Sequence, residues 1–115
     1  MQWVANQQLE ESQQRCKSLG MQIGLILDLA VGCAANGEEY QRNQSLFAQG
    51  VSIGAPADNH AEKGQNWGLP PIEPLRLKEN NYQFFIQLLR ANMKIAGALR
   101  IDHIMGMFRL WWCIE

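Results

Sequence analysis

Apolar positions recur at helical spacing over the first twenty residues. Ala5, Leu9, Cys16 and Leu19 fall on one face, Ser12 fills the gap in the stripe, and Gln and Glu cover the other face. The spacing predicts a helix over 3–19, stopped by Gly20. The period then changes. Residues 22–28, QIGLILD, are almost continuously apolar, the pattern of a strand covered on both faces of a parallel sheet. This predicts a strand over 22–28, closed by an acid. Tyr82, Phe85, Ile86, Leu89, Met93 and Ala96 make a second helical stripe. It predicts a helix over 79–96, with Asn80 or Asn81 as cap and Gly97 as stop. Residues 98–102, ALRID, read as a second short strand, again closed by an acid.

Between the two pairs, residues 29–78 keep no sustained period. They carry all four prolines, Pro56, Pro70, Pro71 and Pro74, and most of the glycines. An irregular loop of about fifty residues, broken by short strands or turns, is unusual in a compact domain and points to function. The order helix, strand, loop, helix, strand is the alternation of a parallel α/β fold. Two parallel strands do not make a stable open sheet. The closing run IMGMFRLWWCIE is strongly apolar, and Trp111 and Trp112 are expected to pack against chain beyond it. The pattern therefore implies part of a larger α/β domain, not a complete one.

Composition narrows the classes. The chain has 115 residues, 47% of them apolar, which suits a folded protein rather than a disordered one. Charged residues are 18%, below the roughly 25% usual for soluble domains. Ten Lys and Arg stand against eleven Asp and Glu, so nothing marks a nucleic-acid or anionic-membrane surface. Cys16, Cys33 and Cys113 are odd in number and widely spaced, which favours reduced cytosolic thiols over a disulfide framework. No zinc-ligand spacing is present, since His60 and His103 are the only histidines. The N-terminal residues lack the pattern of a signal peptide. The longest apolar stretch away from the C-terminus, 23–35, falls short of the roughly 20 residues that cross a bilayer. A cytoplasmic location follows, with no cofactor implied.

In parallel α/β folds, functional groups gather at the C-terminal ends of strands, where Asp28 and Asp102 stand. Arg100 lies two residues before Asp102, so both side chains share one face of the strand. A nearby guanidinium favours a carboxylate's charged form, the form that acts as nucleophile in sugar chemistry. A structural ion pair explains the same two residues equally well. His103 follows at the start of the next loop, as a structural histidine or as a hydrogen-bonding partner for a sugar hydroxyl. Asp28, with no partner in the local pattern, reads as a cap or loop acid. The segment GQNWGLPP, 64–71, sets Trp67 between two glycines and ahead of two prolines. Such a loop either exposes a rigid ring for the apolar face of a sugar, with Gln65 and Asn66 supplying hydrogen bonds, or tucks the Trp into the core. Asp58 is a further loop acid. No phosphate-binding glycine loop, metalloprotease or serine-hydrolase motif occurs.

Four segments, MQIGLILDLAVG (21–32), VSIGAPAD (51–58), GQNWGLPPIEP (64–74) and LLRANMKIAGALRIDHIMGMFRLWW (88–112), resemble the amylomaltases. These are the 4-alpha-glucanotransferases of glycoside hydrolase family 77, here in their bacterial maltodextrin-utilising form. The likeness covers nearly the whole chain in the family's order, and GQxWGxP and RIDHxxG are specific motifs. The resemblance implies a (β/α)8 TIM barrel with large βα insertions, of which this chain would hold about two βα units and a long inserted loop over 29–78. It implies retaining transfer of α-1,4-glucan segments between maltodextrins. By the same resemblance Asp102 matches the nucleophile and Arg100 the residue that holds it ionised and oriented. His103, Trp67, Gln65, Asp58 and, across a gap in the match, Asp28 match substrate contacts.

The sequence departs from the family at Pro56-Ala57-Asp58, where a PPD segment is usual, and at Leu27, where relatives often carry Arg. A retaining mechanism also needs a second carboxyl about 5 Å from the nucleophile. The resemblance puts it on a Glu ending the fifth strand, with a further Asp later, and Glu115 comes too soon to match that Glu. The segment by itself is then expected to be inactive, and its exposed strand edges leave room for self-association. Two alternatives stand beside this reading: a non-catalytic glucan-binding or assembly fragment, and a related α-amylase-like hydrolase.

Overall fold

The computed structural model describes residues 2–114, and Glu115 lies outside them. The chain forms two compact units, Met1–Leu29 with Gln83–Asp102, and Ala30–Tyr82 with His103–Glu115. It is a mixed α/β structure.

The first unit contains α1 (Gln2–Ser18), β1 (Ile26–Leu29), and, after the second unit's first stretch of chain, a helix over Gln83–Ile95 and a strand over Ala98–Ile101. On α1 the inward positions are Leu9, Gln13 and Cys16, while Ala5 and Ser12, and Leu19 just past its end, are exposed. The inward polar residue has a purpose. Gln13 Nε2 donates to the Ile23 carbonyl at 3.0 Å, and its Oε1 accepts the Leu25 N–H at 2.6 Å. These bonds occupy the backbone ahead of β1, and Gly24 adopts φ +79° there. The apolar run over 22–28 therefore becomes a strand only from Ile26 onward, and it extends one residue past Asp28. β1 pairs in parallel with Ala98–Ile101, Ile26 opposite Ala98 and Asp28 opposite Arg100. At the start of this ladder a Cβ on Gly97 would lie 1.7 Å from the Ile23 oxygen, so only glycine fits.

The second unit contains α2 (Glu38–Arg42), β2 (Val51–Ala55), β3 (Gln65–Leu69) and α3 (Pro74–Glu79). The helix over Gln83–Ile95 is thus α4 and the strand over Ala98–Ile101 is β4, both in the first unit. A final strand, β5 (Trp111–Ile114), returns to the second unit. β2 is the centre of an antiparallel sheet in the order β3-β2-β5. Phe47 and Ile53 are buried at its heart with Ser52, and the Tyr40 ring meets Phe47 edge-on at 5.0 Å.

Three sequence expectations change here. Residues 29–78 are not one irregular loop: β2, β3, α2 and α3 organise them, in elements too short to carry a period. The helix expected over 79–96 starts only at Gln83, because Asn81 (φ 53°) and Tyr82 (φ 58°) both turn left-handed ahead of α4, and a separate short helix, α3, precedes that turn. α3 begins earlier, at Pro74, where Glu73 caps it by accepting the N–H groups of Leu75 and Arg76. The apolar C-terminal run finds a backbone partner within the chain, since β5 pairs with β2 and sets Trp112 opposite Ile53, while the side chains of Phe108, Trp111, Trp112 and Ile114 stay exposed.

Candidate functional site

In the first unit, register builds an ion bridge. The parallel ladder puts Arg100 opposite Asp28, and the two-residue period of the strand puts Asp102 on the Arg100 face. Arg100 Nη1 donates to Asp28 Oδ2 at 2.8 Å and Nη2 to Asp102 Oδ1 at 2.9 Å. The Asp102 N–H donates to the Leu29 carbonyl at 3.0 Å, carrying the ladder one residue past β4. Asp102 is therefore fixed at the C-terminal end of the strand through both backbone and side chain. Its second carboxylate oxygen stays outside these bonds.

The bridge is open to solvent: the side chains of Arg100 and Asp28 are each 59% exposed and that of Asp102 is 49% exposed. Exposed pairs add little to stability, so what this one contributes is orientation. The Arg100 guanidinium is held above its ordinary value first by the hydrogen bond to Asp28, then by the charges of Asp28 and Asp102. It is a permanent cation clamped between two carboxylates. Asp28 is accordingly no unpartnered loop acid. Its partner lies on a strand far along the chain, beyond the reach of any local pattern.

In the second unit, a β-bulge presents Trp67. Consecutive β2 residues Ile53 and Gly54 face Leu69 and Asn66, which leaves Trp67 and Gly68 out of the ladder. Gly68 takes φ +65°. A Cβ on Gly54 would sit 2.0 Å from the Gln65 oxygen, so the bulge needs glycine on the facing strand. The half-buried Trp67 ring donates Nε1–H to Gln65 Oε1 at 2.9 Å. It meets His103 edge-on, centroids 5.4 Å apart and planes at 89°. His103 has φ 48° and ψ 59°, a left-handed backbone that costs a non-glycine residue roughly 1–3 kcal/mol and marks functional sites. The arrangement sets an aromatic ring, an amide and an imidazole side by side.

Asp58 takes no part in either cluster. Its Oδ1 accepts the N–H groups of His60 at 2.8 Å and Ala61 at 2.7 Å, closing its own turn. The half-buried Cys33 is not a reactive thiol: burial, with the charge of Glu39 second, pushes it up to about 11. Among the described residues no helix is long and apolar enough to cross a membrane.

The whole chain, residues 1–115, matches the family model of glycoside hydrolase family 77, described as 4-alpha-glucanotransferase. It is 46% identical over 112 residues to a 4-alpha-glucanotransferase of Mycobacterium tuberculosis, covering 97% of this chain and 16% of that protein. The amylomaltase of Corynebacterium glutamicum matches in structure with a TM-score of 0.93 at 38% identity, over 99% of this chain and 16% of that one. The Streptococcus agalactiae amylomaltase, solved with acarbose, matches with a TM-score of 0.86 at 26% identity, over 95% of this chain and 23% of that one. The chain thus spans a small part of the length of its relatives, and it belongs to the 4-alpha-glucanotransferase family, glycoside hydrolase family 77.

Proposed function

We propose that this chain is the nucleophile-bearing part of a retaining 4-alpha-glucanotransferase, about two βα units of a (β/α)8 barrel with a long insertion between them. The observation that carries the reading is the Arg100 bridge: one guanidinium orients Asp102 at a strand end through Oδ1 and leaves the other oxygen outside the bridge. In the proposed reaction that oxygen attacks the anomeric carbon of a bound α-1,4-glucan and the glycosidic bond breaks. The leaving glucan takes a proton from a second carboxylic acid on a later strand, outside this segment. The 4-hydroxyl of an acceptor glucan then displaces Asp102 and gives its proton back to that second group.

The remaining candidates take binding roles. Trp67 stacks on the acceptor sugar, Gln65 and His103 hydrogen-bond substrate hydroxyls, and Asp58 faces the glucan from its turn. Asp28 acts on Arg100, whose Nη1 it holds, besides any sugar contact. Acarbose bound to the Streptococcus agalactiae relative supports an α-glucan as ligand. The proposed site is cytoplasmic and works without a cofactor.

The full-length polypeptide that carries this segment, incubated with maltotriose, tests the reading. Transfer yields glucose together with dextrins longer than maltotriose. Release of shorter sugars alone contradicts it and favours an α-amylase-like hydrolase.

A further inference from the structure

The Trp67 bulge is tied down from the buried side of its sheet. Ser52, 2% exposed at the centre of β2, donates its hydroxyl to Asn66 Oδ1 at 2.6 Å. The same oxygen accepts the Gly68 N–H at 2.9 Å. The two bonds straddle the bulge: Asn66 is the last paired residue before it, opposite Gly54, and Gly68 lies within it. Ser52 and Gly54 are two residues apart on β2 and share a face, which brings the hydroxyl under Asn66. The side chain that the sequence offers as a sugar ligand thus has its carbonyl committed inside the protein.

We propose that Asn66 is the positioning residue of the sugar platform. Its oxygen, anchored by Ser52, fixes the left-handed turn at Gly68 and so holds the Trp67 ring in place before any glucan arrives. A buried hydroxyl has one rotor and a strand backbone beneath it, so it is a rigid anchor. A two-residue bulge without ladder bonds would otherwise sample several ring positions, and ordering it on binding would weaken affinity. Both bonds end on an oxygen acceptor, and neither uses the amide hydrogens of Asn66. This proposal rests on Trp67 being a sugar contact.

The test compares the full-length protein with its Asn66→Ala, Asn66→Asp, Trp67→Ala and Asn66→Ala/Trp67→Ala variants, with maltotriose as donor and glucose as acceptor. Asn66→Ala is expected to raise the acceptor KM about tenfold, the worth of one anchored hydrogen bond. Its kcat should stay within about threefold of the parent. Asn66→Asp keeps the acceptor oxygen and should keep the parent KM. In the Trp67→Ala background, Asn66→Ala should add nothing, because it acts through that ring. A parent KM in Asn66→Ala overturns the proposal, as does an Asn66→Asp KM as high as the alanine variant's, or additivity in the double variant. Should Asn66→Ala not fold, Ser52→Ala replaces it, with a raised KM expected and a parent KM overturning. An unchanged KM in Trp67→Ala itself refutes the sugar contact at that ring, and the positioning role falls with it.

Discussion

Arg100 stands directly opposite Asp28 across the parallel β1–β4 ladder, and its Nη1 donates to Asp28 Oδ2 at 2.8 Å. The arginine reaches Asp102 with its other nitrogen, at 2.9 Å. The proposed nucleophile is therefore oriented by a cation that a second acid holds from the neighbouring strand. Asp28→Asn removes that acid's charge and loosens the guanidinium. In the full-length protein, kcat for glucan transfer should fall about 10- to 100-fold, the worth of a hydrogen bond to a charged group, with KM little changed. A parent kcat would remove Asp28 from the orienting role.

Trp67 lies outside the ladder, edge-on to His103 and bonded to Gln65. Trp67→Ala should raise the acceptor KM about tenfold, in line with the worth of an aromatic contact. Thermal denaturation should change little, because the ring is half-buried. A large loss of stability with unchanged KM would make the ring a packing residue.

Gly54 faces the bulge with no room for a side chain, since a Cβ there would lie 2.0 Å from the Gln65 oxygen and 2.7 Å from Cys113 Sγ. Gly54→Ala should destabilise the protein by about 1–3 kcal/mol or more, because both neighbours belong to the flanking strands. Urea unfolding reads this as a lowered midpoint, and an unchanged midpoint would contradict the packing.

Cys33 carries the opposite of an activated thiol. Its folded-state value is raised from 9.0 to about 11, so it stays protonated well above the range where an ordinary cysteine ionises. Alkylation of Cys33 by iodoacetamide, read by peptide mass mapping, should be slow at pH 8 and climb only towards pH 11. For stability, the protonated thiol's contribution is complete below the unfolded value of 9.0 and is lost as pH rises to about 11. Rapid labelling at pH 8 would contradict this burial.

The helical stripes were legible because they are periodic over ten residues or more, and the two strands because they are short apolar runs closed by an acid. The elements of the second unit were not, because strands such as β2 and β3 are five residues long and broken by glycines. Boundaries shifted where polar groups capture backbone. Gln13 delays β1, and the left-handed pair Asn81 and Tyr82 holds back the start of α4 to Gln83. The proposed site residues Arg100, Asp102, His103, Trp67 and Gln65 stood out through motifs. The Arg100–Asp102 pair was legible from its two-residue spacing, and the longer-range links were not. The Asp28–Arg100 bond depends on strand register, and the anchoring of Asn66 by Ser52 depends on a bulge that no local pattern announces.

The most direct test of the central claim is Asp102→Asn in the full-length protein, assayed for disproportionation of maltotriose and, separately, for maltodextrin binding by calorimetry. Asparagine keeps the shape and the bond from Arg100 but cannot form the glycosyl ester. Transfer should fall by at least about 10³-fold, as removal of a covalent nucleophile does, while binding stays near the parent value. Turnover at the parent rate would show that Asp102 is not the nucleophile.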